Sequence, residues 1–93
     1  MIAGEALRRD YRAAFLRYLP RRDEGPLRIA YELGRRAVVE DLSILELSTV
    51  HHEVFGRVVQ ETRPEDLDAV VQAASEFFLE VLATYHMVHG GPA

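Results

Sequence analysis

Residues 64–88 read PEDLDAVVQAASEFFLEVLATYHMV, the longest uninterrupted helical pattern in the chain. Its apolar residues fall at Leu67, Val70, Val71, Ala74, Phe77, Phe78, Val81, Leu82, Tyr85 and Val88, in steps of three and four that keep one stripe facing inward. Thr62 and Glu65 have the spacing of a capping box, Pro64 falls in the first turn where its missing N–H costs nothing, and Gly90-Gly91 stop the pattern. About 25 residues at a rise of 1.5 Å make a rod of roughly 37 Å. That is longer than the core of so small a domain needs, so a further surface is expected to pack along it.

Working back from this helix, the spacing predicts a first helix over residues 5–19, with Leu7, Tyr11, Ala14, Phe15 and Tyr18 on one face and Pro20 as its break. A turn over 20–25 leads to Pro26 at a first helical position, which opens a second helix over 26–40 with Leu27, Ala30, Tyr31, Gly34, Ala37 and Val38 inward. Gly34 stands in mid-helix, where it costs about 0.8–1 kcal/mol relative to alanine, and a close helix–helix approach is the compensation expected of it. Ser43 and Glu46 have capping-box spacing and open a third helix over 44–61 that carries Leu47, Val50, Val54 and Val58 in one row, with His51 and Phe55 beside it. No glycine or proline marks the 40–43 junction, so one continuous helix across 26–61 is the alternative. Short connections between four amphipathic helices predict an all-α, antiparallel four-helix bundle occupying residues 1–93 as one domain.

At 93 residues the core is small, and Ile29 and Leu33 are left outside the principal stripes, which together predict a homodimer. No apolar run is long enough to span a bilayer, no signal peptide is visible, and there is no cysteine; a cytoplasmic protein without a membrane partner is expected. Every basic residue is arginine: residues 1–36 hold nine against five acids, and residues 37–93 hold two against ten. The spacings Glu5–Arg9, Glu32–Arg36 and Glu53–Arg57 are i,i+4 with the acid first, so these charges are expected to pair locally on solvated helix faces. A nucleic-acid partner is disfavoured, since Glu46, Glu53 and Glu61 accompany Arg57 and Gln60 on the one helix that could enter a groove.

The serines occupy no nucleophile elbow and the glycines no phosphate-cradling loop, so the chain is not read as an enzyme. His86 and His89, at i,i+3, have ligand spacing, whereas adjacent His51 and His52 point about 100° apart. A hemerythrin-like metal bundle draws ligands from several facing helices, and the first two helices contain no histidine. No cofactor or metal is implied. On the fourth helix Leu79 and Ala83 fall on a separate row one turn apart, flanked by Glu76, Glu80 and His86, which makes a small apolar patch with a polar rim.

Three runs carry a resemblance: RIAYELGRRAV at residues 28–38, VHHEVF at 50–55 and FLEVLATYHM at 78–87. With them, the chain from Tyr11 to His89 resembles the N-terminal domain of RsbU-type stress-response phosphatases, which groups with KaiA-like helical bundles; the glutamate usual before Met87 is here His86. The resemblance implies a dimeric input domain that binds a GHKL-fold switch kinase of the RsbT kind and thereby activates a downstream metal-dependent serine phosphatase in sigma-factor control. It implies a docking surface on the second and fourth helices, with Arg28 beside Leu79 and Ala83. Alternatives are a helical dimerisation module of another signalling protein, such as a histidine kinase, and the metal-binding bundle.

Overall fold

Helix α1 spans Glu5–Tyr18, α2 Glu24–Val39, α3 Ile44–Gln60 and α4 Leu67–Gly90, with a 3₁₀ turn at Pro64–Asp66, in a computed structural model that describes residues 5–90. The Gly91 half of the expected helix stop lies outside the described residues; Gly90 is still helical. Among the described residues there is no strand, and the helices form an all-α bundle.

The helix ends differ from the sequence reading in instructive ways. Asp23 takes the N-cap backbone conformation, so α2 begins at Glu24 and Pro26 is its third residue. Thr62 makes no capping box with Glu65: its hydroxyl donates to the Val58 carbonyl at the end of α3, and Arg63 is the residue ahead of the Pro64 turn. Ser43 does cap α3, accepting from the Glu46 N–H at 3.0 Å. The junction before it is a true break. Asp41 enters the left-handed region at φ 60°, the Leu42 N–H donates to the Ala37 carbonyl at 2.9 Å, and the Asp41 N–H donates to the Val38 carbonyl at 3.0 Å. These are the two bonds of a Schellman motif, here with aspartate in the place glycine usually takes and Leu42 buried as its apolar contact.

The most extensive contact is between α2 and α4. Its contacts advance in the same order along both helices: Arg22, just ahead of α2, holds Glu76; Gly34 meets Val81, Thr84 and Tyr85; and the Leu42 carbonyl beyond α2 accepts from the Tyr85 hydroxyl at 2.8 Å. A Cβ on Gly34 would lie 2.3 Å from the Val81 carbonyl oxygen and 2.9 Å from the Thr84 Cβ. Only a residue without a side chain fits between the two backbones. The faces that meet are correspondingly small: Ala30, Gly34 and Ala37 are buried on α2, and Ala73, Ala74 and Thr84 on α4. Thr84 can be buried because its hydroxyl donates to the Glu80 carbonyl at 3.0 Å within the same helix.

This close approach corrects the inward stripes. Tyr31, read as core, is 37% exposed, and Val71 and Val88 also face outward, while Ala73 and Thr84 take core positions. Leu33 is 3% exposed and Ile29 packs partly against the core, so neither is a spare apolar residue for a dimer interface. The aromatic half of the core lies where α1 crosses α4. Phe77 is fully buried and meets Tyr11, Phe15 and Tyr18 at ring-centroid distances of 5.2, 5.5 and 5.8 Å.

Ion pairing also departs from the local scheme. Arg36 turns from Glu32 to Asp10 of α1 at 2.6 Å and to Glu40 at 2.7 Å, and Glu53 is met by Arg8 of α1 at 3.0 Å. Arg36 holds the Asp10 carboxyl below the usual range, chiefly through that hydrogen bond. Charges that sequence spacing assigns to single helices therefore tie helices together.

His51 on α3 closes the core from the remaining side. Its ring stacks on Phe78 at 3.9 Å between centroids and its Nδ1 shares a hydrogen bond with the Tyr11 hydroxyl at 2.6 Å. With the proton on Nε2 the ring accepts from the tyrosine, and with it on Nδ1 the ring donates to the tyrosine oxygen. Burial, helped by the neighbouring His52, pushes the His51 pKa down to about 4, and burial pushes Tyr11 upward, so both partners are neutral at pH 7.

Two outcomes follow from these contacts. Gly34→Ala is expected to lower stability by about 1–3 kcal/mol through overpacking, against the roughly 1 kcal/mol that helix propensity offers in the other direction; urea unfolding with an unchanged or higher midpoint would remove the close-contact account. For His51 the unfolded ring takes up a proton near pH 6.5 and the folded ring only near 4, so between these values the unfolded state binds more protons and stability falls as pH is lowered. Urea midpoints measured across that window should decline in the wild type and decline distinctly less in His51→Gln.

Candidate functional site

The three positions singled out for docking are all at the surface: Arg28 on α2 is exposed, Leu79 on α4 is 64% exposed, and Ala83 is exposed one turn further on. Arg28 lines an open groove of about 370 Å³ between α2 and α4, together with Glu24, Leu27, Tyr31, Glu32 and Glu80. Leu79 and Ala83 do not line it. They sit beside it, because each residue turns a helix by about 100° and so places Leu79, Ala83, Glu76, Met87 and Glu80 within an arc of about 100° on α4. Glu80 borders the groove and Leu79 is the far edge, with Ala83 between them. The result is one surface that runs from Arg28 and Tyr31 across Glu80 to Ala83 and Leu79.

The rim of this surface is fixed by charge. Arg22 places two guanidinium nitrogens on the two oxygens of Glu76, and the Tyr18 hydroxyl donates to Glu76 Oε1 at 2.8 Å. Arg22 adopts φ 56° to reach there, and its N–H donates to the Tyr18 carbonyl at 2.7 Å, ending α1. A left-handed arginine costs roughly 1–2 kcal/mol, and the forked pairing with a carboxylate is the interaction that offsets it. The hydrogen bonds from Arg22 and then Tyr18 hold the Glu76 carboxyl below the usual range, so it is charged at neutral pH. The surface thus offers an apolar centre of Leu79, Ala83 and Met87, a cation at Arg28, and anions at Glu76 and Glu80.

Tyr31 and Met87 were not among the residues proposed from the sequence, whereas Glu80 is expected there as part of the polar rim of the Leu79–Ala83 patch. Tyr31 is displaced to the groove because the small residues Ala30, Gly34 and Ala37 take the centre of the buried face, which leaves Tyr31 about 100° from Ala30. That arc of small side chains was the signal for it.

Elsewhere, Val39, Ile44 and Leu45 at the α2–α3 junction are exposed, Val39 at 75% and Leu45 at 74%. Ile44 lines a second groove with Ser43, Tyr85, His86 and His89 at the end of α4, where Met87 and Val88 are also exposed. The His86–His89 pair does not assemble a centre: the His89 ring stacks on Tyr85, and among the described residues no three His, Cys, Asp or Glu side chains come together as metal ligands. No helix among the described residues is long and apolar enough to cross a membrane.

Comparison with curated proteins and with solved structures gives no match. A family profile described as "Phosphoserine phosphatase RsbU, N-terminal domain" matches residues 9–88, which takes in the whole of α2 and α3, most of α1 and α4, and every residue of the α2–α4 surface. A match over so much of the chain, on a bundle without a catalytic domain among its described residues, places this protein in the RsbU N-terminal domain family.

Proposed function

We propose that this domain is a regulatory input module that dimerises and docks a GHKL-fold switch kinase of the RsbT kind, thereby activating a metal-dependent serine phosphatase in sigma-factor stress signalling. The observation that carries the reading is the family match over residues 9–88. The α2–α4 surface supports it physically. Leu79 and Ala83 form an apolar anchor, Arg28 supplies a cation for a carboxylate or an aromatic face, and Glu76 and Glu80 form a charged rim, the anatomy of a small protein interface. In this reading no catalytic step belongs to the domain itself; the residues serve recognition.

Self-association rests on different residues from those the sequence suggested. With Leu33 buried, five of the nine exposed large apolar side chains among the described residues lie at the α2–α3 junction or the end of α4: Val39, Ile44 and Leu45 at the first, Met87 and Val88 at the second, while Leu16, Tyr31, Val71 and Leu79 lie elsewhere. A contiguous apolar end of this kind is a surface that a two-fold partner would cover.

The partner reading is tested with an RsbT-type kinase and the single variants Leu79→Asp and Arg28→Glu. Each is expected to weaken binding by at least about thirty-fold, as loss of a hot-spot residue does, with helicity and oligomeric mass unchanged. Wild-type affinity in both would move docking elsewhere. For the dimer, sedimentation equilibrium should give twice the chain mass for the wild type and a monomer for Val39→Asp combined with Leu45→Asp; a wild-type monomer at high micromolar concentration would end that part of the reading.

A further inference from the structure

The cleft between α1 and α3 carries charge that the fold does not neutralise. Arg8 and Arg12 stand one turn apart on α1, Glu53 and Arg57 one turn apart on α3, and all four line a cleft of about 210 Å³ together with buried Val54. Arg8 Nε approaches Glu53 Oε2 at 3.0 Å, yet this solvent-shielded nitrogen has no aligned hydrogen bond. The contact is a charge pairing without the geometry of a bond. One carboxylate therefore serves three guanidinium groups. Among the described residues neither Arg12 nor Arg57 has an ion-pair partner. The cleft is doubly positive on a chain whose formal charge is −4.

Such an arrangement has a cost. Arg8 and Arg12 are like charges at i,i+4, an unfavourable spacing on a helix, and Arg57 adds a third cation on the facing element. A bound anion relieves all three at once. Guanidinium groups present planar forks that match phosphate oxygens in pairs, and two helices hold these forks on opposite walls of the cleft. A carboxylate brings one charge and two oxygens, which leaves a guanidinium unmet. A phosphate monoester brings nearly two charges and three strong acceptor oxygens at neutral pH. An extended nucleic-acid backbone suits the site less well, since Glu46, Glu53 and Glu61 lie along the same helix as Arg57.

We propose that the α1–α3 cleft is a binding site for a phosphate monoester group, gripped by Arg12 and Arg57 from opposite walls and by Arg8, which Glu53 holds in place. The site is separate from the α2–α4 surface and stands whether or not a switch kinase docks there.

The test is titration of the protein at fixed ionic strength with inorganic phosphate, O-phosphoserine and AMP, followed by calorimetry and backbone amide shifts. Saturable binding with shifts centred on Arg12 and Arg57 is expected, weakened at least tenfold in Arg12→Gln and in Arg57→Gln, with phosphate raising the melting temperature of the wild type and not of the double variant. O-phosphoserine as the tightest of the three would identify a phosphorylated side chain as the source, and AMP as the tightest a nucleotide; either supports the site. Without ligand, Arg57→Gln should keep or raise the melting temperature, since it removes a like charge. A lower melting temperature would assign Arg57 to the fold and overturn the proposal. Absence of saturable binding by all three probes at millimolar concentration, or equal binding by the double variant, would also overturn it.

Discussion

The approach of α2 to α4 at Gly34 is the constraint to which the other packing choices respond. A backbone-to-backbone contact of this kind admits only small residues, and both helices supply them: Ala30, Gly34 and Ala37 on one side, Ala73, Ala74 and Thr84 on the other. Large side chains must then lie to either side of the contact. Phe77 goes toward α1 and becomes the hub of the aromatic core. Tyr31 goes the other way and lines the surface groove with Arg28. The candidate docking surface is thus a by-product of close packing one helical turn away from it.

Away from the Gly34 contact itself, small apolar residues specify position weakly, because each makes few contacts that sliding would lose. Here the register is supplied by tyrosine hydroxyls. Tyr11 ties α1 to His51 of α3, Tyr18 ties α1 to Glu76 of α4, and Tyr85 ties α4 to the Leu42 carbonyl between α2 and α3. Each ring contributes apolar area inside while its oxygen is satisfied by one specific partner, so a slipped arrangement would leave a polar group unpaired. Arg36 on Asp10 and Arg22 on Glu76 add charged versions of the same device at the surface.

Helical periodicity made four helices legible, because three-and-four spacing survives wherever a helix has one buried face. It ranked positions by apolarity, however, and the core at Gly34 selects by size. Periodicity therefore turns Val71 and Val88 inward by apolarity and overlooks Thr84, which the Gly34 contact buries. The mid-helix glycine itself was readable, since its propensity cost demands a compensating contact. The α2–α3 break was half readable: Ser43 announces the start of α3, but a left-handed Asp41 leaves no residue signature of the kind glycine gives. Ion pairs were misread for a related reason. The i,i+4 rule sees neighbours on one helix, while Arg8, Arg22 and Arg36 each find an acid at least two dozen positions away. Of the candidate site, Arg28, Leu79 and Ala83 could be named from sequence, but their continuity through Glu80 depends on how α2 lies against α4.

In the proposed reading α4 belongs to two surfaces at once. Met87 closes the apolar row begun by Leu79 and Ala83, and it also stands beside Val88 at the exposed end that would be covered on dimerisation. No proline interrupts α4 between Leu67 and Gly90, and its middle is held against α2 by the Gly34 contact, so the helix has little freedom to bend between its two roles. A partner at one surface and a second copy at the other would therefore meet the same rigid element within one turn of each other. Energetic linkage between the two events then needs no large rearrangement: it requires only that the partner's contacts differ between the single and the paired domain, and Met87 is the side chain positioned to make that difference.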